Sequence, residues 1–342
     1  MILNFSPYMY LTDIQTRGDI ESVIKKISNV FYILAVIFGI PGNSAVICMA
    51  GFKLKKNVTN VWLVNLAIAD LIFCFTRLLS IINKLFYDHW PFGVLFCKFN
   101  SFFKYANMFC SVFLLAVISI DRMLCIWKPV FTKRHRSLFV ARVVAVIVWI
   151  TAVLFSSPHF IYRQLYMDEN KTKCSIRDEA MAGDKSTKYA LINIRFMCGF
   201  LLPFIVILVC YIVAGFGIRR IRLSKKSRTL RILASLVIAF FLCWAPYHCL
   251  KLVDEVDSEN TGLKVWLPLA KGFAYFNSCI NPLLYFCMGL NVRGGLRQNL
   301  DIYRRALGEN VDGEAAHSND CSLETRCTAK YGSAVAAGRT RV

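Results

Sequence analysis

The sequence predicts an all-α membrane protein, a seven-transmembrane helix bundle with its amino terminus outside the cell and its carboxyl terminus inside. Three observations carry this. Of 342 residues, 56% are hydrophobic and only 18% charged, against about 25% charged in an average soluble protein; the mean hydropathy is +0.50. The apolar residues gather into seven blocks, each supplying the ~20 residues that a helix needs to cross a bilayer. The basic residues, which bring the net charge to +20, collect in alternate connectors.

The first block, residues 29–52, follows a stretch with no basic start, apolar core or small-residue cleavage site, so it is expected to act as its own insertion signal. It holds Gly42 and Asn43 and is followed by Lys53, Lys55 and Lys56. The second, 59–83, contains "NLAIAD" ending at Asp70, a mid-membrane carboxylate with no base near it in its own helix. Such a group needs a cation or a proton. The third, 94–127, is longer than a crossing requires, so it tilts or projects. It ends in "ISIDRMLCIW", where Asp121 and Arg122 stand side by side after an apolar run.

Next come Lys128, Lys133, Arg134, Arg136 and Arg142, then a fourth block, 139–162, with Trp149. The loop after it is mixed, with Asp168, Glu169, Asp178 and Glu179. The fifth block, 190–218, contains "RFMCGF" from Arg195, then Pro203 and Tyr211. It leads into Arg219, Arg220, Arg222, Lys225, Lys226 and Arg228 with no acid among them. The sixth, 229–253, carries "FFLCWAPYH", in which Pro246 cannot donate a backbone hydrogen bond and kinks the helix. Asp254, Glu255, Asp257 and Glu259 follow. The seventh, 264–288, carries "NPLLY" at 281–285, broken by Pro282, and Arg293, Arg297, Arg304 and Arg305 come after it. Excess Lys and Arg mark cytoplasmic loops, so the odd connectors face inward.

The chain thus divides into an extracellular segment, 1–28; the bundle, 29–288; a short membrane-surface helix, 289–304, weakened by Gly294 and Gly295 at about 1 kcal/mol each; and a disordered cytoplasmic tail, 305–342. Most of the fourteen cysteines lie inside apolar blocks and read as packing residues. Cys97 and Cys174 fall on the oxidising outer side, where a bridge is expected. The sequons at Asn4 and Asn170 are also outside and open to glycosylation, whereas the one at Asn57 is inside. No nucleic-acid motif, nucleotide loop, HExxH, GxSxG or CxxC pattern is present, so neither a nucleic-acid binder nor an enzyme is indicated. No internal repeat points to a transporter.

The markers "GN", "NLAIAD", "DRM", Trp149, Pro203 with Tyr211, "FFLCWAPYH" and "NPLLY", in order and one set per helix, resemble those of the rhodopsin-like (class A) G-protein-coupled receptors over nearly all of residues 29–300. "NMFCSVFLLAVISIDR", "FSSPHFIYR", "RFMCGFLLP" and "FNSCINPLLYFCMG" are similar to the chemoattractant branch, which includes chemerin, formyl-peptide and anaphylatoxin receptors, with the chemerin type nearest.

The resemblance implies roles. Asp121 neutralises Arg122 while the inner face is closed, and Met123 replaces the aromatic residue usual after this pair. Asp70 with Asn107, Ser111, Asn277, Ser278 and Asn281 forms an oxygen-rich site for a sodium ion acting as an allosteric modulator; the alternative is a protonated Asp70 bonded to Asn281. Phe240, Trp244, Pro246, Pro282, Tyr211 and Tyr285 form the activation switch. For the ligand, Lys104, Arg195, Lys251 and Lys271 offer cations in the outer halves of their helices, and Phe102, Tyr105, Tyr247 and Tyr275 offer aromatic walls. Lys251 and Lys271 otherwise snorkel to the surface. Arg195 matches the branch arginine that meets ligand carboxylates. Formyl-peptide receptors carry an acid where this chain has Tyr105, which speaks against a formylated peptide.

The expected molecule is therefore a multi-pass plasma-membrane receptor for an extracellular chemoattractant peptide or small protein. It requires no cofactor, couples to an inhibitory-class heterotrimeric G protein, and is regulated through its tail by receptor kinases and arrestin. The alternatives are a receptor for a carboxylate-bearing lipid mediator, or a decoy that internalises ligand without signalling.

Overall fold

A computed structural model describes residues 7–53, 56–87, 89–168, 170–176, 185–221, 228–256 and 261–289. The sequence-based expectations for Asn4, for the surface helix beyond Gly289 and for the tail lie outside these residues, as does the side chain of Tyr285.

Seven long helical rods form the bundle. Helix α1 (Pro7–Val46) continues as a π-helical stretch, Ile47–Lys53. Then come α2 (Val58–Phe86), α3 (Gly93–Trp127), the short α4 (Pro129–His135) and α5 (Leu138–Ile161). A hairpin follows, with β1 (Arg163–Asp168) antiparallel to β2 (Lys171–Ile176) and Leu165 opposite Cys174. Asn170 takes the left-handed φ of 62° in its turn, a conformation asparagine tolerates well. The fifth rod is α6 (Lys185–Phe196), a π-helical bulge (Met197–Leu201) and α7 (Leu202–Ile221). Helices α8 (Arg228–Val256) and α9 (Thr261–Gly289) complete the set. The spans 18–52, 58–86, 93–127, 138–161, 189–217 and 233–254 are long and apolar enough to cross a membrane.

Most boundaries follow local chemistry. Asn57 caps α2 by accepting from the Asn60 N–H at 2.7 Å. Ser137 caps α5 through Val140 at 3.2 Å, and Pro129 stands in the first turn of α4, where its missing N–H costs nothing. The largest departure from the sequence reading is α1, which is helical from Pro7 rather than from residue 29. Its early turns carry a Glu21–Lys25 pair at 2.7 Å. They also pack on α9, where the Ser28 hydroxyl donates to the Pro268 carbonyl at 2.7 Å and Phe31 meets Phe273 and Phe276. The hairpin and α4 are further elements that apolar blocks alone do not reveal.

Helix α3 runs through the middle, against α2, α5, α7 and α8. Its buried Met108, Phe109, Val112, Leu114 and Ile118 form the core with Phe73, Leu236, Phe240 and Trp244. Val146, Ile147, Ile150 and Leu154 of α5 are exposed, as expected of a face that lipid covers. At two of the prolines inside helices a side chain replaces the N–H that the carbonyl four residues back has lost. For Pro282 the carbonyl is that of Ser278, which accepts from Asn43 Nδ2 at 2.8 Å. For Pro158 it is that of Leu154, which accepts from Ser157 Oγ at 2.8 Å. Trp149 Nε1 donates to Asn65 at 2.9 Å and ties α5 to α2.

Candidate functional site

Three polar assemblies are spaced along the bundle: a cavity under the hairpin, a carboxylate centre at mid-depth and an ionic cluster at the far end.

The cavity, about 340 Å³, is roofed by the hairpin and lies between α3, α5, α6, α8 and α9. The hairpin is held down by the Cys97–Cys174 disulfide and by Trp90, whose backbone N–H donates to the Thr172 carbonyl at 2.7 Å. Arg195 is the most buried of the cations lining the cavity, 4% exposed. One of its terminal nitrogens donates to the Tyr105 hydroxyl at 2.7 Å, and its Nε has no hydrogen-bond partner among the described residues. Lys104 donates to the same hydroxyl at 3.4 Å and sits over the rings of Tyr105, Tyr247 and Tyr275. The sequence-predicted Lys104, Tyr105, Arg195, Tyr247, Lys251, Lys271 and Tyr275 all line this one space. Lys251 is engaged there by Asp254 at 2.6 Å. Phe102 does not line it; its ring packs on Phe103 and Phe160.

Sequence reasoning missed three members of this region. Arg163 opens β1, lines the cavity and donates to the Cys174 carbonyl at 2.9 Å. His159 lies 3.6 Å from the Tyr105 ring, stacked on it. Arg77 of α2 is buried behind Tyr275, its guanidinium 5.0 Å from that ring and bonded to the Asn100 side-chain oxygen at 2.6 Å. An arginine inside an apolar helix is itself a signal, since an intramembrane charge is rarely idle. Arg163 and His159 sit in "FSSPHFIYR", where only the hairpin's return gives them a common target.

At mid-depth Asp70 is fully buried. It accepts from Asn107 Nδ2 at 2.9 Å and Asn281 Nδ2 at 2.7 Å, while Ser278 Oγ lies 3.5 Å from Asn107 Oδ1. Ser111 Oγ and Asn277 Oδ1 are buried with no hydrogen-bond partner among the described residues. A carboxylate with orphaned neutral oxygens is a donor set that fits a hard monovalent cation. Above the centre lie Trp244, 6.0 Å from Tyr247 on one side and 6.0 Å from Phe240 on the other, with Pro246 in the same helix.

At the far end Asp121 meets Arg122 at 3.0 Å. It also accepts two bonds from Arg136, at 2.8 and 3.2 Å, so α4's edge contributes a second guanidinium. The buried Thr59 hydroxyl of α2 accepts from Arg122 at 2.6 Å and from Arg136 at 3.2 Å. Arg136 was legible only as one base among several in a cytoplasmic connector. Tyr211 is partly buried, and its hydroxyl has no hydrogen-bond partner among the described residues.

Comparison with known proteins agrees with this architecture. Residues 42–285 match the family described as "7 transmembrane receptor (rhodopsin family)". The chain is 40% identical over 301 residues to the C3a anaphylatoxin chemotactic receptor of Danio rerio, covering 86% of this chain and 81% of that one. It is 36% identical over 298 residues to Chemerin-like receptor 1 of Rattus norvegicus, covering 82% and 80%. With Chemerin-like receptor 1 of Homo sapiens the identity is 34% over 300 residues, covering 82% and 80%.

Proposed function

This chain belongs to the rhodopsin family of seven-transmembrane receptors, and from that premise we propose that it receives an extracellular chemoattractant peptide or small protein whose carboxyl terminus docks on Arg195. It is a multi-pass receptor of the plasma membrane and not an enzyme. The observation that carries the ligand reading is the cavity's charge. Arg195 is buried with Nε unpartnered, and no acidic residue lines the space among the described residues. A buried cation of this kind is costly until an anion meets it. Relatives named C3a anaphylatoxin chemotactic receptor and Chemerin-like receptor 1 support the chemoattractant reading.

The positive-inside reading puts the cavity outside and Arg122 inside. A carboxylate arriving at Arg195 competes with the Tyr105 hydroxyl and changes the packing of Tyr247, which stands on Trp244. Trp244 and Phe240 lie on α8 beside its proline kink, so a small shift above becomes a swing of the inner half of α8. The closed inner end is held by Asp121, Arg122, Arg136 and Thr59. Its opening releases Arg122 toward a heterotrimeric G protein, of the inhibitory class by resemblance to the chemoattractant branch. Asp70, Ser111 and Asn277 would hold a sodium ion, which when bound supplies positive charge to the buried carboxylate and favours the closed shape. A lipid mediator with a carboxylate head would use the same anchor.

The test is guanine-nucleotide exchange on inhibitory-class G protein by the purified receptor, screened against chemoattractant peptides and carboxylate lipids. Amidation of the active peptide's carboxyl terminus is expected to lower potency at least tenfold in the wild type and to have little effect in Arg195→Ala. Equal potency of the acid and amide in the wild type would remove the anchor, and a response to lipids alone would replace the peptide.

A further inference from the structure

The carboxylate anchor uses one negative charge, and the cavity holds more positive charge than one carboxylate can answer. Lys251 is already met by Asp254. That leaves Lys104, Arg163, Arg195 and Lys271 lining one cavity with no acid among its described lining residues. Each has at most neutral company. Arg163 rests on the Cys174 carbonyl, and Arg195 and Lys104 share the Tyr105 hydroxyl. Lys271 has neither an ion pair nor a hydrogen bond among the described residues.

These charges come from different walls, Arg195 from α6 and Lys271 from α9. Arg195 touches the Tyr105 and Tyr247 rings from the α6 side. Lys271 stands on α9 one turn from Tyr275, whose ring lies 5.6 Å from the Lys104 ammonium. Lys104 shares the Tyr105 hydroxyl with Arg195 and reaches the Tyr275 ring of α9, and a single carboxylate on Arg195 leaves the α9 wall unanswered. Like charges gathered around one buried arginine favour a ligand that neutralises both walls.

Resting on the carboxylate-anchor reading above, we propose that the receptor selects a ligand end bearing two carboxylates, one for Arg195 with Lys104 and one for Lys271, as at a peptide's terminal aspartate or glutamate. The tyrosine walls take the apolar part of that residue and its neighbour.

A matched series separates the two readings: N-benzoylglutamate with two carboxylates, N-benzoylglutamine with one and N-benzoylglutaminamide with none. Dissociation constants are taken from thermal stabilisation of the full-length receptor in lipid nanodiscs, at constant ionic strength. N-benzoylglutamate is expected to bind at least tenfold more tightly than N-benzoylglutamine. That step should vanish in Lys271→Gln and persist in Lys271→Arg, which keeps the charge and guards against a folding artefact. Arg195→Gln should weaken both acids.

Equal binding of the two acids overturns the two-carboxylate proposal. If both still exceed the amide, the single anchor survives. No preference for either acid over the amide, or no binding by any of the three, overturns both. Phenyl phosphate binding more tightly than N-benzoylglutamate would also overturn the proposal, by showing one compact dianion to be the better fit.

Discussion

Asn43 shows how much one side chain settles in this bundle. It supplies the hydrogen bond that Pro282 cannot, and it does so because Gly42 lets α1 and α9 come together. A Cβ on Gly42 would stand 2.7 and 2.8 Å from the Pro282 ring, which is too rigid to swing aside. Gly42→Ala is therefore expected to lower stability by about 1–3 kcal/mol, measured as a fall in melting temperature in detergent. Gly215→Ala is the contrasting case, since nothing lies within 4 Å of the added carbon. There the gain in helix propensity, up to about 1 kcal/mol, should raise the melting temperature. At this scale the sequence was partly legible. Gly42, Asn43 and Asp70 stood out as polar or small residues in apolar surroundings. The identity of Asn43's acceptor was not, because it lies 235 positions away.

Among elements, α4 and the hairpin matter beyond their size. Both lie in connectors, where charge pattern speaks of topology and hides pairing. Arg136 is the case in point: it looked like one more cytoplasmic base, yet it holds Asp121 through two bonds and shares Thr59 with Arg122. Its side chain is 18% exposed and that of Asp121 11%, so solvent screens the pair only in part. Arg136→Ala is expected to loosen the closed end and raise basal nucleotide exchange several-fold. A shift of ~1 kcal/mol already changes a two-state population about fivefold. Basal exchange unchanged from the wild type would mean that Arg122 alone suffices. The seven long helices were legible for a different reason. Lipid forces every crossing segment to be predominantly apolar over about 20 residues, and that demand is written in composition alone.

For the whole molecule, three polar assemblies stacked along an apolar rod imply linkage between its ends. In the proposed scheme a ligand above and a G protein below each bias the same two shapes, with Asp70 between them. If the orphaned oxygens of Ser111 and Asn277 serve a sodium ion with Asp70, agonist affinity should fall when sodium chloride replaces N-methylglucamine chloride at equal ionic strength. Asp70→Asn should be indifferent to the exchange, as read by agonist competition binding; a wild type equally indifferent would remove the ion from the scheme. The ligand-facing cluster was visible in the sequence as residues but not as a shared space, since Lys104, Arg195 and Lys271 meet only once three helices are placed side by side.

The π-helical bulge at Met197–Leu201 carries a consequence for phase. The inward positions of this rod, Arg195, Gly199, Pro203 and Ile207, recur every fourth residue, whereas an α-helix turns once in about 3.6 residues. Over three such steps a regular helix would drift by about 120°, and the widened turn absorbs the excess. Losing a single residue from Met197–Leu201 would straighten the rod and rotate Arg195 by roughly 100°, out of the bundle and into oil. The proposed anchor for an anion thus depends on the phase that this widened turn sets.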